Sequence, residues 1–267
     1  MSMQRPVGDH LREWRQRRRM SQLDLALEAD ISTRHLSFVE TGRAQPSRDM
    51  LLRLVERLEV PLRERNLLLV AAGFAPVFPE RALSDPALHP AREAVEMLLA
   101  AHHPFPALAV DRHWTLVAAN AAAQRLMAGV EASLLQPPVN VLRLSLHPKG
   151  MAPAIANWGE WRAHLLSRLR RQIDVSADAV LVDLLAELSA YPAPGGGGRP
   201  PMKLTPEQQA ASGVVVPLRL STPTGMLSFL STTTVFGTPV DITLSELALE
   251  TFFPADAATA QALLALA

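Results

Sequence analysis

The sequence predicts a mainly α-helical chain with a smaller antiparallel sheet, divided into two domains. Its 267 residues exceed the length of one small module, and 48% of them are apolar, which is enough for packed cores. Residues 7–72 show only helical patterns, whereas short runs rich in β-branched and aromatic residues begin after residue 104. We therefore expect an N-terminal bundle of five helices followed by a C-terminal α+β domain.

The five N-terminal helices are predicted from apolar stripes, and the four later ones also from a residue that suits the first turn. The first stripe contains Leu11 and Trp14. The residues that suit the starts of the four later helices are Ser21, Ser32, Pro46-Ser47 and Pro61. Residues 73–79 include two prolines and cannot continue a helix. The predicted boundaries are 1–74 for the first domain, 75–90 for a linker and 91–267 for the second domain.

Strands and helices are mixed in the predicted second domain. The expected strands, where apolar, β-branched or aromatic residues run together, are 105–110, 113–118, 139–146, 214–220 and 226–236. The expected helices are 91–101, one that begins at Asn120, 158–171, 177–188 and 244–266. Residues 192–201 contain four consecutive glycines and are predicted to form a flexible loop.

The spacing of small and apolar residues within 22–39 is typical of two helices that cross at a steep angle. Leu25 faces the core, and Ala26 is small where the next helix passes over it. Leu36 and Val39 anchor that later helix. This helix-turn-helix pattern leaves the start of the third helix exposed, and that end is the one that enters a DNA major groove.

The exposed residues of this pattern are candidates for contact with double-stranded DNA. Short polar side chains and an arginine at the start of the third helix suit hydrogen bonding to base edges. The candidate base-reading residues are Ser32, Thr33, Arg34, His35 and Ser37. Helix N-termini and nearby arginines suit phosphate groups. The candidate phosphate-binding residues are Ser21, Gln22, Arg43 and Arg48.

The same region resembles a known family of DNA-binding proteins. Residues 21–26, 31–36 and 39–43, followed by Pro46-Ser47, resemble the xenobiotic-response-element (XRE) class of helix-turn-helix regulators, which share the fold of phage repressor heads. That class usually has glycine in the turn, where this chain has Asp30. Aspartate tolerates a left-handed backbone better than most residues, so the turn is expected to survive at some cost. The alternative is a plain helical bundle with a charged face.

The second domain carries a second resemblance, on residues 111–121, 140–143, Trp161 and 165–170. These residues look like the ligand-binding domain of MmyB-like transcription regulators. That domain is similar to a PAS fold, a five-stranded antiparallel sheet flanked by helices. The resemblance implies a pocket for a lipophilic small molecule such as a fatty acid. Where many relatives have an aromatic-rich segment, this chain has glycines and prolines at 195–201, so the resemblance implies no pocket wall for this segment.

Seven residues of the second domain are candidates for ligand binding, and they are Trp114, Asn120, Arg143, Trp158, Trp161, Phe229 and Phe236. Aromatic rings also fill hydrophobic cores, which is the ordinary alternative for each of them. A ligand carboxylate would need a cationic partner. Arg143 ranks first because it lies on the matching motif. The other candidates for that role belong to the helix predicted at 158–171 and are Arg162, Arg168, Arg170 and Arg171.

Composition and motifs argue against several other classes of function. The absence of cysteine excludes disulfides, thiolate zinc sites and cysteine nucleophiles, and it fits a reducing cytoplasm. The eight histidines lack metal-ligand spacing. No apolar run reaches the roughly 18 residues of a membrane span. No P-loop or nucleophile elbow is present. We expect a cytoplasmic protein with no catalytic residues, no cofactor, no metal and no membrane partner.

The combined expectation is a sequence-specific transcription regulator that binds an operator as a homodimer, because one helix-turn-helix head covers only a half-site. Charge agrees with this expectation. Residues 1–75 hold 13 arginines and 10 acidic residues, whereas the whole chain has 26 basic and 26 acidic residues. The C-terminal domain is expected to sense the lipophilic effector and to mediate dimerisation. The alternatives are a ligand-free dimerisation or partner-docking domain, and a lipid-handling enzyme fused to a DNA-binding domain.

Overall fold

A computed structural model describes residues 5–194 and 215–266 of the chain, which form two compact units. The N-terminal unit comprises the chain up to Arg81 and two later segments, Asp174–Ser176 and Pro239–Ser245. The rest of the described chain forms the C-terminal unit. The glycines and prolines at 195–201, predicted to lie in a loop, fall outside the described residues.

Five helices form in the N-terminal unit where the sequence predicts them. Their bounds are α1 Val7–Arg17, α2 Gln22–Glu28, α3 Thr33–Glu40, α4 Arg48–Arg57 and α5 Leu62–Ala71. The side chains of Ser21, Ser32 and Ser47 cap α2, α3 and α4 by accepting hydrogen bonds from backbone N–H groups. Leucines of the apolar stripes, such as Leu11 and Leu36, are fully buried. The predicted five-helix head is confirmed.

Helices α1 and α3 approach each other most closely at Gly8. A Cβ atom built on Gly8 would lie 2.4 Å from the carbonyl oxygen of Val39 and 2.8 Å from that of Glu40. Both of those atoms belong to the backbone and cannot rotate away. Glycine is therefore required here, and the close approach holds the end of α3 against α1.

The C-terminal unit is built on a five-stranded antiparallel sheet. The strands are β1 Ala107–Val110, β2 Leu116–Ala119, β3 Leu218–Thr222, β4 Gly225–Val235 and β5 Ala248–Pro254, in the spatial order β2-β1-β5-β4-β3. Within residues 5–194 and 215–266, the later helices are α6 His89–Ala101, α7 Ala121–Met127, α8 Val141–Leu146, α9 Trp158–Ser176, α10 Ala179–Ala190, α11 Ile242–Ser245 and α12 Ala257–Ala265. This is the predicted α-helical architecture with a smaller antiparallel sheet. Among the described residues, every helix is too short or too polar to cross a membrane.

The two faces of the sheet pack against different helices. On the inner face, Leu108 and Phe229 belong to the same buried cluster as Leu169 of α9. On the outer face, Leu249 shares a buried cluster with Leu99 of α6. The alternation of apolar and polar residues along β4 did not show which face of this strand points inward. The structure places the face of Phe229 inward.

The strand predicted at 139–146 is wrong, because most of this segment forms helix α8. The Oδ1 atom of Asn140 accepts hydrogen bonds from two backbone N–H groups of the first helical turn, each at 3.1 Å. Leu142, Leu144 and Leu146 are all buried. A short helix that is covered on several sides can show the same alternation as a strand, so the pattern was ambiguous here.

The helix predicted at 244–266 is correct only in its second part, because residues before it form strand β5. Thr251 and Phe252 favour a strand, and Pro254 cannot lie inside a helix. In the sheet, β5 lies between β1 and β4 and pairs with both. The abundance of alanine and leucine around this strand concealed its central position.

A segment between β4 and β5 completes the N-terminal unit. Asp241 and Ile242 are each 2% exposed. Asp241 accepts a hydrogen bond from Nη1 of Arg81 at 2.9 Å, and the N–H of Ile242 donates to the carbonyl oxygen of Pro79 at 2.9 Å. The hydroxyl of Thr243 donates to the carbonyl oxygen of Arg81 at 2.6 Å. The start of the predicted linker is therefore held by residues that are distant in sequence.

Candidate functional site

The turn between α2 and α3 has its small residues where the crossing of the helices needs them. Ala26 is 1% exposed, and its carbonyl oxygen accepts a hydrogen bond from the N–H of Ile31 at 3.0 Å. Asp30 has a φ of +53°, the left-handed conformation for which glycine is the usual residue. Leu36 and Val39 are fully buried. Helices α2 and α3 therefore form a helix-turn-helix motif with the start of α3 at the surface.

The residues predicted to read bases lie along the first turns of α3. Ser32 and Arg34 are exposed. The half-buried members of the set are Thr33, His35 and Ser37. Ser32 Oγ accepts a hydrogen bond from the N–H of His35 at 3.1 Å, so this hydroxyl caps α3. The guanidinium of Arg34 lies 5.4 Å from the ring centroid of Phe38. Arg34 is the member with the reach and the paired donors to contact a guanine edge.

The residues predicted to contact phosphate differ in how free their side chains are. Ser21 forms a capping box with Asp24, in which each side chain accepts a hydrogen bond from the other residue's N–H. Gln22 donates from Nε2 to Oε2 of Glu40 at 2.7 Å. This hydrogen bond points the amide nitrogen into the protein and away from a phosphate group. The two exposed arginines of the set are Arg43, in the turn after α3, and Arg48, the first residue of α4.

Sequence reasoning missed Glu40, the last residue of α3, whose side chain is completely buried. Arg15 donates from Nε and Nη2 to the two carboxylate oxygens at 2.6 and 2.8 Å. Arg12 donates to the backbone oxygen of Glu40 at 2.8 Å. Burial raises the pKa of the Glu40 carboxyl, but hydrogen bonds from Arg15 and Gln22 outweigh burial and hold the pKa below its ordinary value. These bonds fix the position of α3 relative to α1 and α2.

A charged residue on an apolar stripe is the signal in the sequence for this ion pair. Glu40 follows Leu36 by four residues, and Arg15 follows Leu11 by four, so each falls on the buried side of its helix. Arg18 is also engaged, because it donates to two carbonyl oxygens at the end of α4 at 2.8 and 2.9 Å. Arg12, Arg15 and Arg18 therefore all help to hold the helices of this unit together.

The C-terminal unit contains a cavity of about 90 Å³ on the inner face of its sheet. Residues of β1, β5, α7, α8 and α9 contribute to the wall. The wall is almost entirely apolar and includes Leu108, Met127, Leu142, Trp161 and Phe252. A concave apolar site of this kind suits a small lipophilic molecule.

Arg168 and Glu250 are the charged residues of the cavity wall. The guanidinium of Arg168 donates to the two carboxylate oxygens at 2.5 and 2.8 Å and to Oγ1 of Thr233 at 2.6 Å. It also lies 4.6 Å from the ring centroid of Trp114. The Glu250 side chain is 6% exposed. The positive charge at the cavity is therefore already neutralised by the protein itself.

Trp114 and Trp161 are the two predicted ligand residues that line the cavity. The indole N–H of Trp114 donates to Oε1 of Gln172 at 2.8 Å, and that of Trp161 donates to Oγ of Ser145 at 3.0 Å. Since both polar atoms have partners in the protein, the two indoles offer the cavity their apolar surfaces.

The other five predicted ligand residues are placed elsewhere. Phe229 is fully buried in the core, and Phe236 packs with the cluster on the outer face of the sheet. Trp158 is partly buried against the core. The side chain of Asn120 accepts hydrogen bonds from the backbone N–H groups of Ala107 and Ala123 and donates to the carbonyl oxygens of Leu99 and Phe105. Arg143 is exposed and pairs with a glutamate of α10 at 2.7 Å.

The position of Arg168 in the cavity wall could have been predicted from helical spacing, whereas the position of Glu250 could not. Arg168 follows Trp161 by seven residues and Leu165 by three, which places all three on the buried side of α9. Glu250 lies in a segment that was predicted to be helical, so its pairing within the sheet was not foreseen.

Comparisons with known proteins find family models for two segments of the chain. A helix-turn-helix family model matches residues 11–65, and the model described as the MmyB-like transcription regulator ligand binding domain matches residues 91–266. A crystal structure of the clp gene regulator ClgR from Corynebacterium glutamicum is 24% identical, with a TM-score of 0.22, over 37% of this chain and 90% of that chain. A comparison with curated proteins finds no match. Because the second family model covers more than half of the sequence, the chain belongs to the MmyB-like transcription regulators, with a DNA-binding helix-turn-helix head.

Proposed function

We propose that the chain is a homodimeric, sequence-specific regulator whose C-terminal unit senses a lipophilic small molecule. A fatty acid is the ligand class that the family resemblance implies. The observation that carries this proposal is the exposed start of α3, with Leu36 and Val39 fully buried behind it. The apolar cavity of the C-terminal unit supports the sensor function.

In the proposed complex, α3 enters the major groove and Arg34 contacts a base edge. Arg43 and Arg48, which are exposed, contact the phosphates on either side. One head covers a half-site, so two copies related by a two-fold axis read a roughly palindromic operator. The number of chains per duplex, measured by analytical ultracentrifugation, tests the homodimer.

Replacing Arg34 by alanine is expected to weaken binding to the preferred operator by about 1–3 kcal/mol and to relax the preference at one base pair. Replacing Arg43 by alanine is expected to weaken binding to all duplexes by similar factors and to lower the salt dependence. Both effects are measured by fluorescence anisotropy with duplexes from the upstream region of the gene and with random duplexes.

Two outcomes would contradict the DNA-binding half of the proposal. The first is that the wild-type chain shows no salt-sensitive binding to any of these duplexes. The second is that both variants weaken binding to random DNA equally, which would show that α3 does not carry the base contacts. The matched control is Arg57→Ala, since Arg57 is exposed at the far end of α4.

The size of the cavity limits what it can hold without rearrangement. Its volume of about 90 Å³ is smaller than the roughly 150 Å³ of an engineered protein cavity that binds benzene. A short apolar group fits the cavity as it stands, and a long acyl chain requires side chains to move. Met127 and Met151 line the cavity, and their flexible thioether chains are suited to such movement.

Extraction of the purified full chain with organic solvent, followed by mass spectrometry, tests the sensor half. We expect a bound lipophilic molecule in the extract, or a raised melting temperature with a panel of aliphatic acids and alcohols. An empty extract together with an unchanged melting temperature for the whole panel would favour the alternative, a ligand-free dimerisation or docking module.

A further inference from the structure

We propose that the cavity selects ligands with an uncharged head group over ligands with an ionised carboxylate, and that Glu250 is the residue that enforces this selection. The inference rests on the proposed sensor function. It restricts the lipophilic ligand to molecules with an uncharged head group and so departs from the fatty acid that the family resemblance implies. It follows from the hydrogen bonds of Arg168, which is the cation of the cavity wall.

Both terminal nitrogens of the Arg168 guanidinium are engaged in hydrogen bonds before any ligand enters. Two parallel hydrogen bonds join the guanidinium to both carboxylate oxygens of Glu250, at 2.5 and 2.8 Å. A third joins it to Oγ1 of Thr233 at 2.6 Å, and this hydroxyl donates to Glu250 at 3.0 Å. One face of the guanidinium is covered by Trp114, whose ring centroid lies at 4.6 Å. The protein therefore supplies the carboxylate that an acid ligand would otherwise supply.

A ligand carboxylate at this position would be the second negative charge beside one guanidinium. If the ligand carboxylate displaced Glu250 from Arg168, the carboxylate of Glu250 would lose its ion pair. The Glu250 side chain is only 6% exposed, so water could not take the place of Arg168. Buried charges without partners and like charges in one site are both strongly unfavourable. A hydroxyl head group brings no charge and leaves the ion pair intact. Ser145 and Ser231, which also line the cavity, offer such a group neutral hydrogen-bonding partners.

The test compares 1-octanol with octanoate at about pH 7.5, where octanoate is ionised. Binding to the full wild-type chain is followed by the fluorescence of tryptophan, because Trp114 and Trp161 line the cavity. We expect 1-octanol to bind at least about tenfold more tightly than octanoate. In Glu250→Gln, octanoate is expected to bind at least about tenfold more tightly than to the wild type, while 1-octanol changes by less than about threefold.

The control variant is Glu187→Gln, which removes the carboxylate of a more exposed arginine–glutamate ion pair, with Arg143, outside the cavity wall. It is expected to leave both affinities unchanged. Octanoate binding to the wild type as tightly as 1-octanol would overturn the inference, and this comparison needs no variant. Saturable binding with a preference for octanoate would overturn the head-group selection alone. Absence of saturable binding for both probes would overturn this inference, whereas the proposed sensor function is decided separately by the solvent extract and the melting-temperature panel.

Discussion

Replacing Glu40 by alanine is expected to lower the free energy of unfolding of the N-terminal unit by about 3–5 kcal/mol. The side chain of Glu40 is completely buried and that of Arg15 is 11% exposed, so the variant leaves a guanidinium without its counter-ion in the interior. Urea unfolding followed by far-UV circular dichroism measures the change. The matched control is Glu28→Ala, an exposed glutamate of α2, which is expected to change stability by less than about 0.5 kcal/mol.

The same carboxylate predicts how the stability of this unit depends on pH. The pKa of Glu40 is held below its ordinary value of 4.5 in the folded chain. Its contribution is therefore fully present above that ordinary value and is lost as the pH falls through the folded pKa. The stability difference between wild type and Glu40→Gln should shrink below about pH 4. A difference that stays constant down to the acid-unfolding transition would show that the ion pair does not stabilise the fold.

Replacing Phe229 by alanine is expected to destabilise the C-terminal unit by about 3–5 kcal/mol, because the ring is fully buried and its loss leaves a cavity. Its edge-to-face contact with Phe252, at a centroid distance of 6.3 Å, is lost as well. Thermal unfolding measures the effect. Leu230→Ala is the control, since Leu230 follows on the opposite face of β4 and is 36% exposed; its cost should be much smaller.

The Phe229 experiment also separates two roles that the sequence left open. If the main role of Phe229 were to contact the ligand, its replacement would lower ligand affinity and leave the melting temperature unchanged. The structure assigns it to the core, where it does not reach the cavity wall. We therefore expect the loss of stability to dominate.

The helix-turn-helix head could be predicted almost element by element, because its signals are local. Serine caps, a small residue at the crossing and apolar residues three or four apart act within one or two helical turns. The conformation of Asp30 follows from the same local requirement. The ion pair of Arg15 with Glu40 spans 25 residues, and only the position of each charge on an apolar stripe pointed to it.

The C-terminal unit was harder to predict because its defining contacts are distant in sequence. Glu250 meets Arg168 across 82 residues, in a strand that composition assigned to a helix. Arg143 was preferred as the cation because it lies on the matching motif, but a motif does not show which way a side chain points. Burial on the same side of α9 as Trp161 was the better criterion for Arg168.

The position of residues 239–245 in the sequence affects when the N-terminal unit can be completed during translation. These residues supply the buried side chains of Asp241 and Ile242 to the N-terminal unit, although they are translated about 160 residues after Arg81. The N-terminal unit of a nascent chain therefore lacks this part until residues 239–245 have been translated. Expression fragments that stop at Arg81, and proteolytic fragments of the same length, contain all five helices of the head but an incomplete N-terminal unit.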